Sequence, residues 1–345
     1  MRAWRAVEFG SELEAVQLQQ LPDPGEPIGS ELLVEVAAAG IALPDLLLLS
    51  GAYPGMEHEL PHPIGIEYSG TVLACGPEVE QLAVGARVCG MVYPPQGGAS
   101  ELVKVDEAAV ARLPERLSLL DGATIPSAYM TAHDALHRHG GVRAGERVLV
   151  LAAASGLGLA LVQLASLAGA EVTGAASGAK LERVRAAGAV EAFDYSVDGW
   201  DQQLRDFDIV LDPIGGSSFQ RSYDILGPGG RLVCLDVISR YPKDSAGSEY
   251  RREPGDPRFD PVDLIADGKS VVGINMPLLW ERDGGQRHVL TEALAHFEAS
   301  AIRPAAPEVF TFEHAVDALR HVQQRRSIGR VVLDLGVAGP ASRGS

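Results

Sequence analysis

The chain has 345 residues, of which 46% are hydrophobic and 22% are charged, a balance typical of globular proteins. Its formal net charge of −17 argues against nucleic acid or an anionic membrane as the main partner. The three cysteines are scattered, the N-terminus lacks a signal-peptide core, and no apolar run approaches membrane-spanning length, so we expect a cytoplasmic protein that acts on a small molecule.

Residues 1–122 are predicted to form a small, barrel-like domain that is rich in β-strands. Segments that favour strands alternate there with glycine and proline at short spacing, which is the pattern of all-β domains. The predicted strands are 32–37, 67–73, 85–92 and 100–105.

Residues 123–276 are predicted to alternate between strands and helices. The predicted strands are 147–151, 171–175, 190–193, 207–211, 231–235 and 270–274. The run Gly227-Pro228-Gly229-Gly230 is predicted to make a hard turn before a strand. Six strands separated by helices indicate a doubly wound parallel sheet, so the predicted fold class is α/β.

The turn after the first of these strands carries the strongest functional signal. Ala153, Ser155 and Gly158 are small residues with the spacing of G-x-G-x-x-G. In dinucleotide-binding folds such residues let the chain turn, let the backbone approach a pyrophosphate and let the helix pack on the strand. Gly156 adds a flexible point, and the N–H groups at the helix start, which includes Leu157, suit an anion. A tight turn in another parallel α/β protein is the alternative.

The segment after the second strand bears on which dinucleotide binds. An NAD site usually has a carboxylate there for the ribose hydroxyls. Here Ala176, Ser177 and Gly178 are followed by Lys180, and no acid is present. A hydroxyl and a cation suit a 2′-phosphate, so the sequence favours NADPH over NADH. The alternative for Lys180 is a solvated position in the first turn of a helix.

The remaining chain comprises a loop and the C-terminal elements. Segment 239–261 is polar and long for a structureless connection, which suggests a functional loop or a lid. The elements predicted beyond it are two helices and a strand, at 289–300, 312–325 and 329–335. We expect the chain end to pack on the first domain. This gives one domain of 1–122 and 277–345, and a dinucleotide-binding domain of 123–276.

Four stretches together resemble a known family. They are GIALPDLLLLSGAYP at 40–54, GIEYSGTVLACGPEVEQLAVGARV at 65–88, IPSAYMTAHDAL at 125–136 and AAASGLG at 152–158. The chain resembles the zinc-independent quinone oxidoreductase branch of the medium-chain dehydrogenase/reductase superfamily, and 257–276 is similar to its synaptic-vesicle-type members. The resemblance implies that the β-rich part is a GroES-like catalytic domain, that the parallel sheet is a Rossmann domain, and that substrate binds between them.

The sequence predicts no metal site. Zinc-dependent relatives carry a cysteine near the position of Ala42 and a Gly-His-Glu where this chain has Gly65-Ile66-Glu67, and their four-cysteine lobe is missing. Zinc needs three or four converging ligands, and the expected ones are gone.

Two pairs of histidines offer alternative ligands. His58-Glu59-Leu60-Pro61-His62 spells H-E-x-x-H, but Pro61 opposes the helix that this motif needs. We interpret it as a loop with two surface histidines. His133 and His137 have helical spacing, and with no third ligand evident we interpret them as part of a solvated helix face.

Without a metal, the resemblance provides two candidate catalytic residues. Reduction of a conjugated C=C builds negative charge on the carbonyl oxygen, which hydrogen-bond donors stabilise, and a proton must reach the α-carbon. Tyr53 matches the tyrosine of the family's SG-x-YP element and is the candidate donor, with packing of the cleft wall as the alternative. Asp45 matches the family's aspartate, with a structural role at a helix start as the alternative. The family's usual asparagine is Ala42 here.

The resemblance also implies further contacts to the cofactor. Tyr195 and Arg325 match residues that lie at the 2′-phosphate of NADPH in relatives. Thr131 matches a residue near the nicotinamide, and Asn275 is predicted to lie on the last strand, facing the same site. Asp236 follows the fifth strand, where relatives have a small residue, and the sequence does not explain it.

Two functions remain open. The favoured one is an NADPH-dependent reductase of a quinone or an activated C=C, such as an enone, an enal or an enoyl thioester. The alternative is an NADPH-binding protein whose main role is interaction, which Ala42 and Asp236 favour slightly. By resemblance we expect a homodimer joined through the last sheet strand near 271–275, because an exposed apolar edge strand needs a partner.

Overall fold

The computed structural model describes residues 1–10, 13–51, 59–236, 255–282, 285–299 and 302–337, and its fold is α/β. The chain divides into two compact units. Among the described residues, the first unit comprises 1–130 and 280–337, and the second comprises 131–236 and 255–279.

The N-terminal part of the first unit is rich in β-strands, as predicted. Its strands are β1 (Arg2–Ala6), β2 (Val16–Gln20), β3 (Glu31–Ile41), β4 (His62–Pro63), β5 (Glu67–Cys75), β6 (Arg87–Met91), β7 (Leu102–Asp106) and β8 (Val110–Arg112). The helices are α1 (Leu43–Leu49), α2 (Leu119–Gly122) and α3 (Pro126–His133), and the chain passes into the second unit within α3.

The second unit alternates strands and helices. Its strands are β9 (Arg147–Val150), β10 (Glu171–Ala176), β11 (Glu191–Asp194), β12 (Phe207–Asp212), β13 (Leu226–Cys234) and β14 (Ser270–Gly273). Its helices are α4 (Gly156–Leu167), α5 (Leu181–Ala186), α6 (Ser217–Asp224) and α7 (Pro261–Asp267). The six strands are parallel, in the order β11-β10-β9-β12-β13-β14, which is the order of dinucleotide-binding folds.

The C-terminal part of the chain returns to the first unit. Its elements are α8 (Met276–Arg282), α9 (Arg287–Glu298), β15 (Glu308–Thr311), α10 (Ala315–Gln323) and β16 (Val331–Asp334), and α8 begins in the second unit. Strand β16 pairs antiparallel with β3, so the predicted return of the chain end is confirmed. The large sheet has the order β15-β16-β3-β5-β6-β8, and β7 also pairs with β3.

Burial explains why the parallel sheet was predictable. Val148 to Val150 on β9 and Ile209 to Leu211 on β12 are fully buried, because helices cover both faces of such a sheet. Helix α4 is also buried over most of its circumference and ends before Gly169, which has a positive φ of 82°.

One prediction of local structure is wrong, and the bounds of another differ slightly. The run Gly227-Pro228-Gly229-Gly230 is not a turn before a strand, because β13 already begins at Leu226 and passes through it with a shift in register against β12. The predicted helix at 312–325 begins as a 3₁₀ turn, Phe312–His314, and its α-helical part ends at Gln323. Most of the polar segment 239–261 lies outside the described residues.

Within the described part of the chain, no helix has the length and the apolar character to cross a membrane.

Candidate functional site

The turn between β9 and α4 is held by its own small residues. Ser155 is extended, with φ −72° and ψ 168°, and caps α4 because its Oγ accepts the N–H of Gly158 at 3.0 Å. The N–H of Ala153 donates to the carbonyl of Ala175 on β10 at 2.9 Å. Ala152 has a positive φ of 49°, so the chain reverses sharply before the helix begins.

Gly158 is the position of the turn that requires glycine. A Cβ atom there would lie 2.2 Å from the carbonyl oxygen of Ala152 and 2.7 Å from the backbone of Ala153. Here α4 packs closely on the backbone just after β9, and close packing of helix on strand is the role of the third glycine in the dinucleotide motif. The other two motif positions hold Ala153 and Ser155, so this turn has one of the motif's three glycines.

The start of α4 offers donors for an anion. The first N–H groups of an α-helix have no acceptor within the helix, and the helix dipole places partial positive charge there. Ser155 Oγ occupies the N–H of Gly158, which leaves those of Gly156 and Leu157 for a ligand. Because Gly156 has no Cβ, no side chain at that position obstructs the approach of a ligand to these N–H groups. The residues of the turn therefore fit the pyrophosphate of a dinucleotide.

Three residues predicted for the 2′-phosphate lie in the segments that follow two neighbouring strand ends. Strands β10 and β11 are parallel, with Ala176 opposite Asp194, so Ser177 and Tyr195 follow their carboxyl ends side by side. The N–H of Tyr195 donates to the carbonyl of Ala176 at 3.1 Å, and 52% of Tyr195 is exposed. Lys180 ends the 3₁₀ turn that starts at Gly178.

Asp194, at the end of β11 and next to Tyr195, is a further residue of this region that the sequence analysis missed. Its carboxylate accepts the hydroxyl of Ser196 at 2.6 Å, the N–H of Ser196 at 2.9 Å and the N–H of Gly178. The side-chain hydrogen bond from Ser196, followed by the backbone ones, lowers the pKa of Asp194. The expected position of an acid is the end of the second strand of the sheet, whereas Asp194 ends the third. The segment FDYS held the signal.

The other strand ends at this edge carry polar and thiol groups. The buried carboxylate of Asp212 accepts the N–H of Ile214 at 2.7 Å and the hydroxyl of Ser222 at 2.7 Å. Burial, with the charge of Asp212, raises the pKa of the neighbouring Cys234 to about 12. Because of this raised pKa, the Cys234 thiol is protonated at neutral pH and is a poor nucleophile. Asp236, which follows β13, is half-buried.

The predicted nicotinamide contacts both lie in the second unit. Thr131 is a half-buried residue of α3. Asn275 was predicted on the last strand, but β14 ends at Gly273. Asn275 instead precedes α8. Its side-chain Oδ1 accepts the N–H of Leu278 at 3.5 Å, and its backbone carbonyl accepts the N–H of Leu279 at 3.2 Å. Its side chain therefore belongs to the start of a helix just beyond the strand end.

Asp45 lies in the first unit and is bonded to the backbone. Its carboxylate is 2% exposed and accepts the N–H of Ala42 and the N–H of Gly65, each at 2.8 Å. Because Asp45 is the third residue of α1, these bonds fix the helix start and the chain before β5. Burial raises the pKa of Asp45 to about 6, although the hydrogen bonds and Arg330 oppose that shift. Both carboxylate oxygens are therefore committed to backbone donors.

A buried ion pair lies close to Asp45. Glu67 is fully buried, its carboxylate forms an ion pair with Arg330, and it accepts the N–H of Ser127 at 2.9 Å near the start of α3. Burial lowers the pKa of Arg330 to about 10. Glu67 is the glutamate that zinc-dependent relatives have in Gly-His-Glu, and here its charge is balanced by a guanidinium.

The histidine interpretations need correction. His62 is fully buried in β4, so it is not a surface histidine, while His58 lies outside the described residues. The ring of His62 lies 5.9 Å from that of Phe9. The rings of His133 and His137 are 4.8 Å apart, and His133 is half-buried, so this helix face is only partly solvated.

Two predicted site residues are not among the described residues of the second unit. Tyr53 lies outside the described residues. Arg325 lies in the first unit, just after α10, with a positive φ of 55°. Their roles at the substrate and at the 2′-phosphate stay predictions.

Comparison with known proteins agrees with this geometry. A family model described as alcohol dehydrogenase GroES-like domain matches residues 29–115, and one described as zinc-binding dehydrogenase matches residues 187–333. The synaptic vesicle membrane protein VAT-1 homolog of Rattus norvegicus is 30% identical over 95% of this chain and 82% of its own length. Erythronolide synthase EryA2 of Saccharopolyspora erythraea is 32% identical over 95% of this chain, which spans 9% of that protein.

A solved structure gives the same family. The quinone oxidoreductase from Thermus thermophilus, whose structure was also solved in complex with NADPH, is 32% identical, with a TM-score of 0.77 over 97% of this chain and 100% of that one. The zinc in the family model's description has no counterpart at Ala42 and Ile66, where zinc-dependent relatives carry ligands. The chain therefore belongs to the medium-chain dehydrogenase/reductase superfamily, in its quinone oxidoreductase-type branch.

Proposed function

We propose that the protein is an NADPH-dependent, metal-independent reductase of a quinone or an activated C=C. The observation that carries this proposal is the arrangement of residues at the carboxyl ends of the parallel strands. A turn that fits a pyrophosphate and the residues Ser177, Lys180 and Tyr195 follow neighbouring strands there. The solved relative with NADPH supports the choice of cofactor.

Different residues of the chain bind different parts of the cofactor in this proposal. The N–H groups of Gly156 and Leu157 hold the pyrophosphate, and the dipole of α4 stabilises its charge. Ser177, Lys180 and Tyr195 hold the 2′-phosphate. We assign Thr131 and Asn275 to the nicotinamide end, and Arg325 to the 2′-phosphate. When bound, NADPH supplies the hydride.

The acceptor must be polarised without a metal. Charge that develops on the acceptor's oxygen is stabilised by a hydrogen-bond donor, and we assign this role to Tyr53. Asp45 supports the reaction indirectly, since its hydrogen bonds fix the start of α1, the helix that precedes the Tyr53 segment. A conjugated carbonyl compound or a quinone is the acceptor class that this chemistry suits.

We also propose that the enzyme is a cytoplasmic homodimer. In the described part of the chain, β14 is one of the two edge strands of the parallel sheet and pairs with β13 alone. Helix α7, which precedes β14 in the chain, exposes 71% of Val262 and 81% of Ile265. An apolar edge of this kind needs cover, and a second copy joined along β14 supplies it. All three cysteines are free thiols, which suits a reducing compartment.

A panel of acceptors tests the proposal. Oxidation of NADPH and of NADH is followed with a benzoquinone, an α,β-unsaturated ketone and a crotonyl thioester. We expect turnover with at least one acceptor, faster with NADPH than with NADH, and the best acceptor identifies the substrate class. If NADPH binds and no acceptor is reduced, the reductase proposal fails. The protein is then better described as an NADPH-binding interaction protein, for which Ala42 in place of the family's asparagine is the specific reason.

A further inference from the structure

Asp194 ends β11 at the place where the proposed function puts the 2′-phosphate. In the parallel pairing of β10 and β11 it lies opposite Ala176, one residue before Ser177. The next residue, Tyr195, is bonded through its N–H to the carbonyl of Ala176 at 3.1 Å. The turn that carries Ser177 and Lys180 and the turn that carries Tyr195 are thus joined through their backbones, with Asp194 at the junction.

The carboxylate of Asp194 faces the first of these turns. A Cβ atom on Gly178 would lie 2.3 Å from Asp194 Oδ2, so the carboxylate rests against the backbone of that residue. It accepts the N–H of Gly178, and its other oxygen accepts the N–H and the hydroxyl of Ser196 at 2.9 and 2.6 Å. These donors stabilise the ionised form, so the group carries a full negative charge at neutral pH.

Two consequences follow for a nucleotide bound at this edge. The carboxylate lies against the backbone of Gly178 and competes with a phosphate for its N–H. A negative charge also stands beside Ser177 and Lys180, where it repels a 2′-phosphate and has no such effect on the neutral 2′-hydroxyl of NADH. The cation of Lys180 and the anion of Asp194 therefore act in opposite directions on the choice between the two cofactors.

We propose that Asp194 is a specificity-determining residue that limits the preference for NADPH over NADH. This inference rests on the proposed function, because it needs the adenosine end of a dinucleotide at this edge. It predicts that wild-type protein prefers NADPH only modestly, and that removal of the charge at Asp194 increases the preference.

The test is the equilibrium binding of NADPH and NADH, measured by titration calorimetry, to wild type and to Asp194→Asn. The asparagine keeps an oxygen that can accept the N–H of Gly178 and removes the charge. We expect the Kd for NADPH to fall by about fivefold, while that for NADH changes by less than about twofold. Asp198→Asn is the matched control, since Asp198 is an exposed acid of the same segment and its loss changes the net charge equally. It is expected to leave both Kd values unchanged.

The outcomes separate this inference from the proposed function. If wild type binds NADPH and Asp194→Asn behaves like Asp198→Asn, or binds NADPH more weakly, the inference is wrong and the proposed function stands. If wild type binds neither nucleotide, both are overturned. Should Asp194→Asn fail to fold, Asp194→Ser removes the same charge and keeps an acceptor oxygen, and the same gain in NADPH affinity is expected from it.

Discussion

At Gly158 the backbone of the turn leaves no room for any side chain. A Cβ there would lie 2.2 Å from the Ala152 carbonyl, so Gly158→Ala must displace the start of α4. We expect a loss of about 1–3 kcal/mol in the free energy of unfolding, as for other overpacked sites, together with weaker NADPH binding. Denaturant unfolding and nucleotide titration measure the two effects.

Gly273→Ala is the matched control for that substitution. Gly273 ends β14 in the same unit, and a Cβ added to it would meet no atom within 4 Å. Its replacement should change stability by less than about 0.5 kcal/mol. Equal effects of the two substitutions would show that close packing at Gly158 is not what the turn requires.

Asp45 should make stability depend on pH. Burial raises its pKa from 3.8 to about 6, so the folded protein holds this proton more tightly than the unfolded chain does. The stability contributed by this group is then fully present below about pH 4 and is lost as the pH rises through 6, by at most about 3 kcal/mol.

The difference in unfolding free energy between wild type and Asp45→Asn isolates this contribution, because the other titrating groups cancel. We expect the wild type to lose stability relative to the variant between pH 4 and 6.5. The measurement is denaturant unfolding at several pH values. A difference that is constant over this range would contradict the assignment of a raised pKa to Asp45.

At the scale of elements, two serines at helix starts have separable roles. Ser155 Oγ accepts the N–H of Gly158, whereas Ser177 makes no capping bond with its side chain at the 3₁₀ turn that follows it. Ser155→Ala should therefore cost about 1 kcal/mol of stability. Ser177→Ala should leave stability nearly unchanged and weaken the binding of NADPH but not of NADH.

Thermal unfolding and nucleotide titration on the two variants check this separation. Equal losses of stability would contradict the capping role of Ser155. An equal weakening of NADPH and NADH by Ser177→Ala would remove Ser177 from the 2′-phosphate site.

The parallel sheet could be predicted from sequence because each of its strands is a local signal. Strands such as β9 and β12 are buried on both faces, so they are short continuous apolar runs between glycine-rich turns. Strand β13 shows the limit of this rule. Its run of glycines and a proline looks like a turn, yet the strand passes through it with a shifted register against β12.

The parts of the site that depend on distant contacts could not be predicted. His62 is buried because β4 pairs with β1, where it lies opposite Ala6, and its own segment gives no sign of that partner. Arg330 reaches Glu67 from the other end of the chain. Asp194 was overlooked because the expected position of an acid was the second strand, while the fold brings the third strand's end beside it.

At the scale of the whole molecule, the exposed edge of the parallel sheet predicts dimers. Ile265 is 81% exposed on α7, the helix that precedes β14 in the chain, so Ile265→Lys should place a charge in the proposed interface and shift the protein from dimer to monomer. Ile28→Lys is the control, because Ile28 is 69% exposed in the first unit. Light scattering after gel filtration gives the mass. A wild type that is monomeric at micromolar concentration would contradict the dimer.

The proposed function is hydride transfer from NADPH without a metal. The most direct test is the rate of NADPH oxidation by wild type with its best acceptor, in buffer that contains a metal chelator, with Gly158→Ala alongside. We predict that the wild type oxidises NADPH at the same rate with and without the chelator, and that it uses NADPH faster than NADH. Gly158→Ala should lose this turnover. Turnover that the chelator abolishes, or NADPH bound without oxidation by any acceptor, would contradict the claim.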